Sequence, residues 1–367
     1  MNPTPDSPES LPQPTPHPSQ ILPPPPPTHP ATPIFLGPEG LRAGWSLLLF
    51  LLIFAALSIA TVFITARVQH KPSPFSAHKP AATSSQQPKP TPPAAQLIPP
   101  RAMVLNELVP FALVLIATLL MSLIERRRFG AYGLGPARAA IRYLQGMLYG
   151  LVFLSLLVGL LTLFGLLHFD HRLLSGLAIT RYGLIWLAGF AFVGFLEETL
   201  TRGYLQYTLA RGLAGLYGYL FHTRHRYALG FWSAALILSF LFGFGHGHNP
   251  GESPIGLLSA GLAGLLFCFA LYRTGSLWWA LGFHATWDWA QSFLYGVPDS
   301  GLMVQGHLYA THPSGALILS GGLTGPEGSI LILPVLISAA AVIFFTLPQA
   351  AQPIALSYIE TPGTESA

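Results

Sequence analysis

Eight apolar runs, most of them near the roughly 20 residues that cross a bilayer as one helix, divide this chain between Trp45 and Leu347. They cover about Trp45–Thr65, Val104–Ile124, Tyr143–Leu167, Tyr182–Arg211, Leu229–His246, Ile255–Tyr272, Leu277–Tyr295 and Ile330–Leu347. A backbone inside hydrocarbon must satisfy its own hydrogen bonds, and these runs have the length for helices. Only 9% of the residues are charged, against about a quarter in soluble domains. The expected fold is all-α: a polytopic transmembrane helical bundle of about eight spans with a disordered Pro-rich N-terminal tail.

The segments between the runs set the organisation. Residues 1–44 form the Pro-rich tail; "ILPPPPPTHPATP" offers neither the basic start nor the apolar core of a signal peptide. Residues 45–124 hold two helices around a Pro-, Ser- and Lys-rich loop (67–101), which cannot bury apolar surface. Residues 125–180 form a linker and the third helix, 181–295 a core region, and 296–367 a loop, the last helix and a C-terminal tail. "GLAGLYGYLFHTRHRY" reads as a loop with a short interfacial piece.

The arginine-rich short segments "ERRR" (from Glu125) and "HTRHR" (from His222) favour the inner side, so both termini are expected in the cytoplasm of an integral, multi-pass membrane protein. The net charge of +4 is scattered through loops, which excludes a nucleic-acid partner and leaves the lipid bilayer as the surroundings. The single cysteine, Cys268, rules out an intramolecular disulfide and a cysteine-based zinc ribbon. No internal repeat marks an inverted-repeat transporter.

Against this apolar background, "GFLEETLTRGYL" (Gly194–Leu205) places Glu197, Glu198 and Arg202 inside a span. A charge at mid-helix costs about 2.5–3.5 kcal/mol on insertion scales. Glu198 and Arg202 stand four apart on one helix face, in the favourable order for an ion pair, so they form a supporting clamp. Glu197 is turned about 100° away and needs partners of its own. Phe242 and His246 are again four apart, as are His284 and Asp288. Each signal has a bland alternative: Trp287 and Trp289 as packing, Asn249 and Pro250 as a helix stop. Together, Glu197, His246 and His284 suit water activation, with a buried glutamate as general base and two imidazoles to hold water or polarise a carbonyl. Glu plus two His also matches the open three-ligand set of catalytic zinc, so Glu197, His246 and His284 are candidate ligands for zinc or another divalent metal, without the compact HExxH spacing.

These residues resemble the CAAX-protease and bacteriocin-processing family of intramembrane proteases. "EETLTRG" is similar to its EExxxR motif, Phe242 and His246 to FxxxH, and His284 with Asp288 to HxxxN or HxxxD. The resemblance covers residues 180–295 and implies an eight-helix intramembrane (metallo)endopeptidase acting on a peptide or lipid-modified protein substrate. It implies that Glu197 and His246 activate the attacking water, that His284 stabilises the oxyanion, and that Arg202 pairs with Glu198. Asp288 stands where the best-known members carry Asn. A carboxylate is a poor oxyanion donor unless protonated, so Asp288 is expected to orient and charge His284, or to act as an outer metal ligand. The competing classes are a non-catalytic membrane scaffold or bacteriocin-immunity-type protein, and a proton-coupled transporter, since buried carboxylates also build relays.

Overall fold

The computed structural model describes residues 32–37, 40–68 and 97–349. Most of the expected Pro-rich tail, the middle of the 67–101 loop and the C-terminal tail lie outside the described residues. The rest is a bundle of α-helices, in which the long helices are α1 (Ala43–Val68), α2 (Pro100–Ile124), α3 (Ala139–Leu163), α4 (Leu177–Glu198), α5 (Gln206–Phe221), α6 (Arg226–Gly245), α7 (Pro254–Thr274), α8 (Trp278–Trp289) and α9 (Ile332–Thr346). A π-helical stretch, Thr199–Leu205, runs α4 into α5 as one rod, and a second, Ala290–Leu294, extends α8.

Six helical stretches are long and apolar enough to cross a membrane, among them the 45-residue Leu177–Phe221. The seventh and eighth expected spans are shorter, with 12 helical residues in α8 before its π turn and 15 in α9. At 1.5 Å per residue, α9 covers about 22 Å of a hydrocarbon core about 30 Å thick. The expected loop after Arg211 is helical to Phe221, because its alanine, leucine and tyrosine continue the apolar face; His222 ends it in the left-handed conformation.

The helices are ordered by close backbone approach. A Cβ at Gly146 would meet the Trp279 carbonyl oxygen at 2.0 Å, and one at Gly282 would meet the Tyr143 carbonyl oxygen at 2.0 Å. Only glycine lets α3 and α8 touch so closely, and small residues are how membrane helices gain contact without a hydrophobic driving force. The core around this crossing includes Leu154, Leu157, Trp279 and Phe283. α4 packs against both α2 and α8, while α2 and α8 share no substantial contact with each other.

The segment 296–328, read from sequence as a loop, is a structured cap. Tyr309–Pro313 pairs antiparallel with Leu167–Arg172, and Met303–Val304 pairs parallel with Leu97–Ile98. The third span accordingly stops at Leu163 and its expected last residue, Leu167, opens a strand. Both strands find partners more than a hundred residues away, which no local pattern of side chains discloses. The cap is clamped by glycines in the left-handed region: a Cβ at Gly301 would meet the Pro250 carbonyl oxygen, and one at Gly325 the Pro298 carbonyl oxygen, each at 1.9 Å.

Candidate active site

The last helical turns of α4 set the site. Glu197 and Glu198 end that helix, and the π turn begins at Thr199. A π turn displaces carbonyls from their i+4 partners. Here the Thr201 hydroxyl donates to the Glu197 carbonyl oxygen at 2.5 Å and accepts from Arg202 Nη1 at 2.9 Å. Arg202 Nη1 also donates to Glu198 Oε1 at 2.9 Å, with both side chains sealed from the surface. The expected clamp is therefore present, and its guanidinium lies over the Phe242 ring, 4.1 Å from the centroid. A cation so placed is held by the ring's negative face.

That contact explains the spacing on α6. Phe242 supports Arg202 with its ring, and its carbonyl oxygen accepts from His246 Nδ1 at 2.8 Å. With Nδ1 as donor, His246 Nε2 is the unprotonated nitrogen. His248, next to it, faces the Gly245 carbonyl oxygen instead.

His284, on α8, stands between carboxylates. Its Nδ1 is 3.0 Å from Glu198 Oε1, while Nε2 is 3.7 Å from Glu197 Oε2 and 3.4 Å from Asp288 Oδ2. Glu198 thus serves Arg202 and His284 with the same oxygen. Sequence reasoning gave the orientation of His284 to Asp288; in the structure Glu198 holds Nδ1, and Asp288 lies on the Nε2 side. The reason is the helix crossing: α4 brings Glu198 alongside the ring, whereas a residue four positions on within α8 reaches only its far edge. Glu197 Oε2 accepts no hydrogen bond among the described residues.

Glu197, His246, His284 and Asp288 open onto one cavity of about 510 Å³. Among the described residues its walls hold five carboxylates, of Glu107, Glu197, Asp288, Asp299 and Glu327, with two histidines and no lysine or arginine. Sequence reasoning missed Glu107, Asn249 as a wall residue, and the cap's Asp299 and Glu327. Glu107 carried a readable signal, a lone acid in an apolar run; Asp299 and Glu327 carried none, sitting among polar residues. Glu327 is fixed by Trp287 Nε1 at 2.8 Å and the Ser300 hydroxyl at 3.1 Å, and the Ser292 hydroxyl reaches Asp299 Oδ2 at 3.3 Å. Burial, with Asp288 and Glu327 nearby, pushes the Asp299 carboxyl well above the usual aspartate range.

Among the described residues no three His, Cys, Asp or Glu side chains are arranged to hold a metal ion. His284 Nδ1 is bound to Glu198, and Nε2 stands 3.4 Å from Asp288 Oδ2 and 3.7 Å from Glu197 Oε2. The chemistry proposed below runs through the chain's own side chains.

A family model for the type II CAAX prenyl endopeptidase, Rce1-like, matches residues 179–290. Over this segment the chain is similar to that family. The Rce1-like segment contains all three motifs, from Glu197 to Asp288, and supports the resemblance to the CAAX-protease and bacteriocin-processing family. At the family level it supports a CAAX-type intramembrane protease, a hydrolase in a membrane setting with a peptide or protein as substrate. No curated protein and no solved structure matches the chain. Glu107, Asp299 and Glu327 lie outside the Rce1-like segment.

Proposed function

We propose that this protein is an intramembrane endopeptidase that hydrolyses a peptide bond with a water activated by Glu197 and His246. The observation that carries this reading is the opening of Glu197, His246 and His284, from three different helices, onto one cavity. A water between Glu197 and His246 Nε2 gives its proton to the Glu197 carboxylate as it attacks the carbonyl carbon. His284, held at Nδ1 by Glu198, turns Nε2 to the developing oxyanion; one well-placed donor of this kind is worth about 3–4 kcal/mol. Asp288 supports the positive charge that His284 carries at that moment.

The substrate is a peptide or lipid-modified protein segment. The cavity has an apolar wall, including Met103, Phe190, Ile332 and Leu336, suited to such a chain. The arginine-rich turns keep both termini in the cytoplasm in this reading. The test is cleavage of a lipidated, membrane-tethered peptide by purified Glu197→Ala, His246→Ala and His284→Ala variants whose folding has been checked. Each is expected to lose activity by about 100-fold or more. Wild-type rates in all three sink the proposal.

A further inference from the structure

Glu107 is the single acidic residue of α2. It stands in an apolar helix outside the Rce1-like segment, where a charge is costly. Among the described residues it has neither an ion-pair partner nor a side-chain hydrogen bond, so packing gives no account of it. Its side chain lines the same cavity as Glu197, and α2 packs directly on α4. A carboxyl kept in a membrane helix without a partner, and turned to a catalytic cavity, is there for a group that arrives from outside.

The endopeptidase reading, on which this inference rests, leaves open whether Glu197 returns its proton or a second acid supplies one. An amide nitrogen does not leave as an anion; it must take up a proton as the C–N bond breaks. Glu197 receives the proton of the attacking water. His246 Nδ1 is bound to the Phe242 carbonyl oxygen and its other nitrogen faces the water. His284 Nδ1 is bound to Glu198 and its Nε2 faces the oxyanion. These groups sit on α4, α6 and α8. α4 packs against both α2 and α8, which share no substantial contact with each other, so Glu107 reaches the cavity from a different helix than His284 does.

We propose that Glu107 is the general acid that protonates the departing amine. The O–H bond of water breaks, with its proton going to Glu197 and its oxygen bonding to the carbonyl carbon. The C–N bond then breaks, and the nitrogen takes the proton from the Glu107 carboxyl. The products are a carboxylic acid and an amine; the proton on Glu197 returns to Glu107 through solvent, and no other reactant is needed.

The experiment compares full-length wild-type protein with Glu107→Gln and Glu107→Asp on two probes in detergent. One is an internally quenched farnesylated peptide with an ordinary scissile amide. The other is an aryl ester of the same farnesylated residue, whose phenolate leaves without a proton. Glu107→Gln is expected to lose about 100-fold or more on the amide, the usual worth of a general acid, and to keep the ester rate within about threefold. Glu107→Asp recovers part of the amide rate. Glu197→Gln loses both. An amide rate untouched by Glu107→Gln, or amide and ester rates that fall together, overturns the role of Glu107 while leaving the endopeptidase intact. Wild-type protein inactive on both probes removes the endopeptidase reading, and the assignment of Glu107 falls with it.

Discussion

Replacing Glu198 with glutamine removes the carboxylate that Arg202 bonds at 2.9 Å and leaves a guanidinium sealed in the protein, with 1% of its side chain exposed. Breaking such a pair from one side costs about 3–5 kcal/mol. Glutamine keeps an oxygen at the same place and Phe242 still faces the cation, so the low end, about 3 kcal/mol, is expected. At about 2–4 °C per kcal/mol for a domain of this size, the melting temperature falls by about 6–12 °C. The neighbouring Glu197→Gln behaves differently, because among the described residues Glu197 bonds no arginine or lysine; its melting temperature stays within about 3 °C of wild type, while its peptidase rate drops by about 100- to 10,000-fold. Cys268, the single cysteine, is 1% exposed, so a thiol-reactive fluorogenic dye reports unfolding directly. Adding Arg202→Met to Glu198→Gln removes the orphaned cation and restores several degrees. Equal melting shifts for the two glutamine variants, or no shift for Glu198→Gln, refute the division of labour between the adjacent glutamates.

Three further outcomes follow from other parts of the structure. Gly282→Ala drives a methyl group to 2.0 Å from the Tyr143 carbonyl oxygen, so α3 and α8 must part; a loss of about 1–3 kcal/mol is expected, and a melting curve like the wild type's refutes the crossing. Asp299→Asn tests the cap. The folded protein keeps a proton on Asp299 that the unfolded chain releases near pH 4, so stability falls as the pH rises from there through the raised value, and the asparagine variant melts above wild type at neutral pH but level with it near pH 4. Melting curves that run parallel across that range contradict the burial of this carboxyl. Exhaustive chelation is expected to leave the cleavage rate unchanged; stoichiometric zinc that departs and returns together with activity contradicts the all-side-chain mechanism.

Much of this arrangement was legible because membrane helices make charges conspicuous. Glu198 and Arg202 were readable as a pair from a spacing of four alone, and the structure joins them. The FxxxH and HxxxD spacings placed Phe242 with His246, and His284 with Asp288, on shared helix faces. What spacing within one helix cannot give is a contact between helices. The bond from Glu198 to His284 joins residues 86 positions apart, and the seat of Arg202 on the Phe242 ring depends on how the stretch Thr199–Leu205 lies against α6. The cap was illegible for a related reason. Its two short strands have no amphipathic run long enough to announce them, and their partners, Leu97–Ile98 and Leu167–Arg172, were read as loop and helix end.

The cap also bears on where the chemistry takes place. Asp288 is the last residue but one of α8, and the π turn that follows Trp289 brings Ser292 round to Asp299, while Trp287 reaches Glu327. The catalytic helix is thereby tied at consecutive turns to a segment outside the Rce1-like match. Glu197 is likewise followed at once by a π turn, so both acids stand where a helix widens, and a widened turn frees backbone and side-chain positions that a regular helix would hold in register. Among the described residues Glu197 keeps an oxygen without a hydrogen bond, while Arg202 is occupied by Glu198 and lies over the Phe242 ring. In the proposed mechanism the clamp keeps its cation on Glu198, and Glu197 is the carboxylate that takes a proton from water.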